Sequence, residues 1–280
     1  MLFVGCDKNK EKEIEENQVL FFYAYYGDLY WDRDSNIFVE TESTSGWGVL
    51  LTDSTPTFDY FKMGSESFSD SGYVKFYDGY ISFGDYDFDG NAIITSDLNP
   101  LNIEVKTSLG TISGSINFPD EIESITLSQS DTLEIGEPLT ISWTGSNANF
   151  YNVSYSYRWK DKNGKLGTTY FNEFTSDILM TLPGSLFDND GEIIFLYVIP
   201  QNGPSPTDNE IGNMSGDGSG FLYYSIDGTR YNGENIVVGL GTGTGNLSQS
   251  SFEILAKEQL DKNREMLEKK IRETRGKNKE

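Results

Sequence analysis

Three aspartates stand two residues apart in Asp85-Tyr86-Asp87-Phe88-Asp89-Gly90, and Asp97 follows the glycine by seven residues. Carboxylates at that spacing can converge on one hard cation if the chain turns sharply, and glycine permits the turn. A plainer reading exists. On an extended strand Tyr86 and Phe88 point one way and the three aspartates the other, with Asp89-Gly90 as a hairpin turn. The second chemistry-bearing group is Cys6, the only cysteine in 280 residues. It follows Gly5 and the apolar Met1–Val4, and the charged run DKNKEKEIEEN begins directly after it. The chain has no histidine. Ser-His-Asp and Cys-His catalysis, His-ligated zinc and histidine pH switching are thereby excluded. One cysteine allows neither an internal disulfide nor a cysteine-rich metal site. What remains is carboxylate chemistry and cation binding by oxygen.

The run from Asp85 to Gly90 resembles the first half of a calcium loop of the EF-hand or dockerin type. That resemblance implies calcium held by Asp85, Asp87, Asp89 and Asp97. The second half departs from the pattern: the twelfth position is Ser96, with Asp97 one place late, and the eighth is Ala92, with Ile93 one place late. Cys6 in its setting resembles the end of a bacterial lipoprotein signal peptide, the lipobox, in which the cysteine becomes the lipidated first residue. The resemblance implies a lipid anchor at Cys6, with the chain facing outward from a membrane. A complete secretory signal has a basic start and an apolar core of roughly 7–15 residues. Only Met1–Val4 precede Gly5, so this reading takes the chain as written to start inside the signal.

Charge narrows the partners. Lys and Arg total 21 against 44 Asp and Glu, a net of −23. Residues 248–280 hold 9 basic and 7 acidic side chains, which leaves 12 against 37 elsewhere. A body that acidic repels phosphate backbones, so no nucleic-acid partner is expected. No apolar run approaches the roughly 18 residues that span a bilayer, so attachment would rest on lipid. Carboxylate pairs also serve glycoside hydrolysis, but among 44 no pair stands out.

The elements that must position these groups read as strands. Aromatics make up 14% of the chain, and Gly, Asn, Asp and Ser punctuate short apolar runs. Strands are predicted at 19–26, 36–40, 47–51, 58–63, 73–77, 80–83, 101–106 and 110–118. A second set is predicted at 125–127, 139–143, 151–159, 166–171, 178–182, 193–199, 221–226 and 236–238. Leu101, Ile103 and Val105 show the period of two that buries one face. Asp161-Lys162-Asn163-Gly164 reads as a hairpin turn. A phase change between Ile81/Phe83 and Tyr86/Phe88 points to a bulge near Gly84. The alternating glycines of 239–246 form a linker and lack the G-x-G-x-x-G spacing of a dinucleotide loop. The loop 201–220 is long, polar and rich in Pro and Gly, and disorder is its expected state. Tyr23, Tyr25, Tyr26, Tyr30 and Trp31 are candidates for a sugar-stacking platform, with core packing the commoner fate.

Leu139-x-Ile141-x-Trp143, then Tyr151-x-Val153-x-Tyr155, Leu182-Pro183-Gly184 and Ile194-x-Leu196-x-Val198 resemble the fibronectin type III and immunoglobulin-like sandwich. The resemblance covers roughly residues 120–240. It implies that Trp143 and Tyr151 are core residues and that the unit serves binding or spacing. Its tyrosine soon after the Pro-Gly is missing here, where 185–192 form a longer loop.

The expected fold is therefore all-β: two tandem β-sandwich domains, the second immunoglobulin/fibronectin III-like, plus a C-terminal α-helix. The expected layout is a signal remnant and tether at 1–17, a first sandwich at 18–119 and the immunoglobulin-like unit at 120–240. A linker at 241–250 and a charged helix at 251–280 follow. The expected function is a non-enzymatic lipoprotein of the bacterial cell envelope, acting in binding, adhesion or assembly. The alternatives are a carbohydrate-active enzyme using carboxylates, or a subunit that oligomerises through its helix. Expected partners are the membrane, through lipid, and a protein or glycan. No cofactor is expected apart from calcium at the aspartates.

Overall fold

The computed structural model describes residues 18–32, 37–52, 55–69, 74–77, 79–84, 93–96, 99–129, 132–204, 212–226, 228–231 and 236–240, with backbone alone at 28–32, 37–42 and 94. These residues are almost entirely strand. The strands are β1 (Gln18–Asp32), β2 (Ile37–Thr52), β3 (Phe58–Met63), β4 (Glu66–Phe68), β5 (Val74–Tyr77), β6 (Tyr80–Phe83), β7 (Ile93–Thr95), β8 (Leu101–Thr107), β9 (Gly110–Ile116) and β10 (Ser124–Leu127). They continue with β11 (Thr132–Leu133), β12 (Leu139–Thr144), β13 (Phe150–Lys160), β14 (Leu166–Thr175), β15 (Leu179–Leu182), β16 (Asp190–Asn202), β17 (Ser215–Gly216), β18 (Ser219–Ile226), β19 (Thr229–Arg230) and β20 (Ile236–Val238). The fold is all-β, as the composition predicts. A single 3-10 turn, Gly184–Leu186, interrupts the strands among the described residues.

Three sheets form among the described residues. The largest has 12 strands, and its spine runs β11-β20-β16-β18-β1-β2-β6-β5. Strand β13 lies along β16 with β14 outside it, β19 also pairs β16, and β7 pairs β2. A five-stranded sheet runs β17-β9-β8-β3-β4, and a three-stranded one β10-β12-β15.

Both smaller sheets cover the same face of the large one. Side chains on one strand alternate between faces, and directly paired residues share a face. Val198 and Asn202 therefore share a side of β16, and Asn202 is paired with Tyr224 of β18. Val198 belongs to a core with Trp143, Tyr155 and Leu139. Tyr224 belongs to a core with Phe22, Phe61, Ile103 and Phe83. The core holding Tyr224, the first in chain order, lies under the five-stranded sheet, and the core holding Val198, the second, lies under the three-stranded one.

Sequence explains much of this locally. In β8, Leu101, Ile103 and Val105 are buried, while Asn102 and Lys106 face water. In β2, Gly46 and Gly48 stand opposite Ala24 and Phe22. A methyl on Gly48 would sit 2.5 Å from the Phe22 ring and 2.6 Å from the Phe21 carbonyl oxygen. Their absence of side chain lets Phe22 lie across β2 and stack on Phe61, centroids 5.2 Å apart. The expected hairpin joins β13 to β14, with Gly164 at φ +82°. The Asp161 carboxylate accepts the backbone N–H of Asn163 and of Lys165, each at 2.8 Å. Those N–H donors, that of Lys165 first, hold its carboxyl below the usual range.

One pairing is not local at all. Strand β18 lies parallel to β1 from Val19↔Ser219 to Tyr26↔Ile226. Leu222 and Tyr224 of β18, with Met214 just before it, complete the core built otherwise from residues 20–116. The chain thus returns across Pro119-Asp120 to finish the sheet it began.

Candidate functional site

Cys6, Asp85, Asp87, Asp89 and Asp97 lie outside the described residues, as do the linker 241–250 and the segment 251–280. The backbone on either side of the aspartates is defined. Phe83 pairs with Gly48, and Ile93 with Gly46, so the chain leaves and rejoins the flank of β2 two residues apart. Gly84 takes φ +78° at the point of departure, where a methyl would meet the Gly46 carbonyl oxygen at 2.9 Å. This is the place where the change of phase predicts a bulge.

The tyrosine candidates divide. Tyr26 stacks on Phe118 and packs against the first core. Tyr23 stacks on Trp47, shares a 2.6 Å hydrogen bond with Ser225, and accepts from Gln201 Nε2 at 3.1 Å. The side chains of Tyr30 and Trp31 are outside the described residues. From the long loop, Met214 is buried in the first core, and the Asn213 amide brackets Leu222, accepting from its N–H at 2.7 Å and donating to its carbonyl at 2.9 Å.

The most unusual chemistry lies on the back of the large sheet, away from both cores. Strand β13 sends Tyr151, Val153, Tyr155 and Tyr157 into the second core. Its alternate residues, Asn152, Ser154, Ser156 and Arg158, should face water by the ordinary logic of a two-layer fold. All four are instead buried, with Asn152 and Ser156 at 0% exposure. Register explains the enclosure. Asn152 is flanked by Phe174 of β14 and Ile199 of β16, Ser154 by Asn172 and Tyr197, and Ser156 by Tyr170 and Phe195. Short polar side chains on the middle strand form a floor, and larger half-buried ones on both neighbours rise as walls.

The floor is unsatisfied. Both amide atoms of Asn152, the Ser156 hydroxyl and the Asn172 side-chain carbonyl are buried without a hydrogen-bond partner. Such groups are rare in native interiors, and each has lost water without recovering a bond. One end of the seam is closed by an ion pair, Arg158 Nη1 to Glu192 Oε1 at 3.5 Å, with both residues buried. On the wall, the Arg230 guanidinium lies 5.1 Å above the Phe195 ring. Burial pushes the Tyr197 phenol above its ordinary range, against the opposing pull of Arg230. The other end meets Phe150, whose ring contacts both Phe174 and Tyr223.

The arrangement offers amide donors, amide acceptors and hydroxyls between aromatic faces, with its charges paired at one end. Ser156 has no imidazole to activate it, since the chain has no histidine. The interactions these groups can make are neutral hydrogen bonds and ring stacking. The sequence carries a signal for it, the polar half of the alternation Asn152-x-Ser154-x-Ser156. Read alone, that half is indistinguishable from a wet strand face. Only the register with β14 and β16 encloses it.

Comparison with known protein families and with curated proteins returns no match to either.

Proposed function

We propose that this chain is a non-enzymatic, lipid-anchored protein of the bacterial cell envelope that binds a neutral, hydroxyl-rich ligand, a glycan, along the seam of β13. The observation that carries the reading is the set of unpartnered polar atoms on Asn152, Ser156 and Asn172 between the rings of Tyr170, Phe174, Phe195 and Tyr197. Sugar hydroxyls supply the missing donors and acceptors, and the C–H face of a pyranose suits an aromatic wall. The seam is closed in the free chain, so entry requires a wall ring to turn outward.

The immunoglobulin/fibronectin III-like reading of residues 120–240, and the two-sandwich layout, belong to this proposal. They are supported by the three-stranded β10-β12-β15 sheet facing β14, β13, β16 and β20, and by buried Trp143 on β12 with its ring edge-on to Tyr151 at 5.1 Å. Phe187, from the longer loop that replaces the expected tyrosine, is fully buried against Tyr157. The anchor at Cys6 rests on the lipobox resemblance alone. Loss of the anchor in Cys6→Ser should release the protein from membranes, and retention would contradict it.

Glycan-array screening of the full chain, followed by calorimetric titration of the best ligand, tests the binding. Binding without sugar release, weakened roughly tenfold by Asn152→Leu and several-fold by Ser156→Ala, is expected. Product release from a polysaccharide panel, or binding unaffected by both substitutions, would sink the proposal.

A further inference from the structure

We infer that this chain self-associates as a two-fold dimer through the outer edge of β14, which pairs antiparallel with β14 of a second copy and continues the large sheet across the axis. Strand β14 pairs with β13 and with no other described strand. At ten residues it is the longest strand with a wholly unpaired side among the described residues. Natural sheet edges are blunted by shortness, proline, lysine or a bulge. The far edge of the same sheet follows that rule, since β5 has four residues and carries Lys75. Strand β14 does not. Its sequence, LGTTYFNEFT, has no proline and one charge, Glu173, and its register with β13 runs from Lys160↔Leu166 to Tyr151↔Thr175 without a shift.

The hairpin fixes which backbone groups point outward. The Asp161 N–H donates to the Lys165 carbonyl at 2.9 Å. Bonded and non-bonded pairs alternate along an antiparallel ladder. The odd-numbered residues from Lys165 to Thr175 therefore bond to β13. The N–H and C=O groups of Leu166, Thr168, Tyr170, Asn172 and Phe174 point away from the sheet. A two-fold axis at Tyr170 uses all five. Leu166 then pairs with Phe174 of the second copy, Thr168 with Asn172, and Tyr170 with Tyr170. Two bonds at each such pair make about ten hydrogen bonds.

Charge selects a second copy as the occupant. Lys160, Lys162 and Lys165 surround Asp161 at the start of β14, while Glu173 and Asp177 are the only charged residues of 166–177. Antiparallel pairing lays the basic end of each copy on the acidic end of the other. Lys165 stands opposite Thr175 and diagonal to Glu173, with Asp177 just beyond, and a lysine reaches across such a diagonal. Elsewhere the net charge of −23 keeps copies apart, so this edge is where two of them match. Exposed apolar groups gather at the same two ends: Leu166 is 62% exposed, Ile178 59% and Leu179 52%. Pairing covers Leu166 directly, against Phe174.

Sedimentation of the full wild-type chain from micromolar to submillimolar concentration tests this, with a reducing agent present so that Cys6 cannot cross-link. The expected result is a monomer–dimer equilibrium with no larger species, because a two-fold contact uses both edges and closes. Thr168→Pro removes an outward N–H and spares the ladder to β13, so it should weaken the dimer at least tenfold with folding intact. Lys165→Glu should weaken it roughly tenfold, and adding Glu173→Lys should restore it to within about threefold of wild type. A monomer at every concentration would overturn the inference. So would a dimer that none of these variants moves, or assemblies that keep growing with concentration. If the variants fail to fold, hydrogen exchange of the wild type decides. The 166–175 peptide should exchange more slowly as concentration rises, and a rate independent of concentration would refute the pairing.

Discussion

Replacing Asn152 by Leu should make this protein more stable and less able to bind. The two side chains have nearly the same shape, so the core need not rearrange. Both polar atoms of the Asn152 amide are buried and unpartnered, at 0% exposure for the residue. A buried polar group left unpaired costs about 1–3 kcal/mol, and an isosteric apolar replacement removes that cost. The expected gain is therefore about 1–3 kcal/mol. In a chain of this size each kcal/mol moves Tm by about 2–4 °C. Urea unfolding should show the midpoint rising with the m-value unchanged, the mark of a true stability change. The same variant loses the amide bonds to ligand, each worth about 0.5–1.5 kcal/mol, so Kd should rise roughly tenfold or more. Asn152→Asp supplies the contrast, because it buries a carboxylate beside the same rings and should destabilise. A lower midpoint in Asn152→Leu would falsify the reasoning. It would mean that the amide is bonded, and that the seam is a saturated structural network with nothing to offer a ligand.

Other expectations follow from the same geometry. Gly48→Ala should destabilise by about 1–3 kcal/mol, because its methyl meets the Phe22 ring at 2.5 Å and a backbone oxygen at 2.6 Å; an unchanged urea midpoint would show that β1 yields more easily than its pairing implies. Burial pushes the Tyr224 and Tyr157 phenols up to about 12; the first shares a hydrogen bond with the Thr44 hydroxyl, and the second donates to the Asn189 carbonyl. A folded-state value above the ordinary one near 10 means stability that is complete below pH ~10 and is lost as pH rises toward 12. Ultraviolet titration should thus show part of the tyrosine ionising late and together with unfolding, and full ionisation of a still-folded chain near pH 10 would contradict it. If the aspartates hold calcium, titration should give heat that disappears in Asp87→Ala and Asp89→Ala; no heat at millimolar calcium ends that expectation.

Strands with a clear period of two were legible in the sequence to the residue. Phe58–Met63, Tyr80–Phe83 and Ile236–Val238 have the predicted bounds. Strand β2 was legible only as two pieces, because residues 41–46 hold no apolar side chain to mark a buried face; β1 pairs along them and makes one strand of the two. The two- and three-residue strands β4, β7, β11, β17 and β19 have no local signal, since each exists through its partner. The Trp143 core was readable from the alternation in β12 and β13. The burial of Asn152 and Ser156 was not, because it depends on the size of residues about 20 and 40 positions downstream in the chain.

The parallel pairing of β18 with β1 also governs how the protein can come into being. Residues 19 and 219 are neighbours, 200 positions apart in the chain. Closing a loop of that length is slow and entropically costly, and none of the reward arrives before both ends are present. While the chain emerges from a ribosome, β1 keeps one side without its partner, and the first core lacks Met214, Leu222 and Tyr224. The N-terminal two hundred residues therefore wait in a loose state, open to chaperones and to aggregation. A fragment cut at Pro119-Asp120 should inherit that condition permanently. Folding becomes a late, all-at-once event, triggered when β18 is delivered to β1.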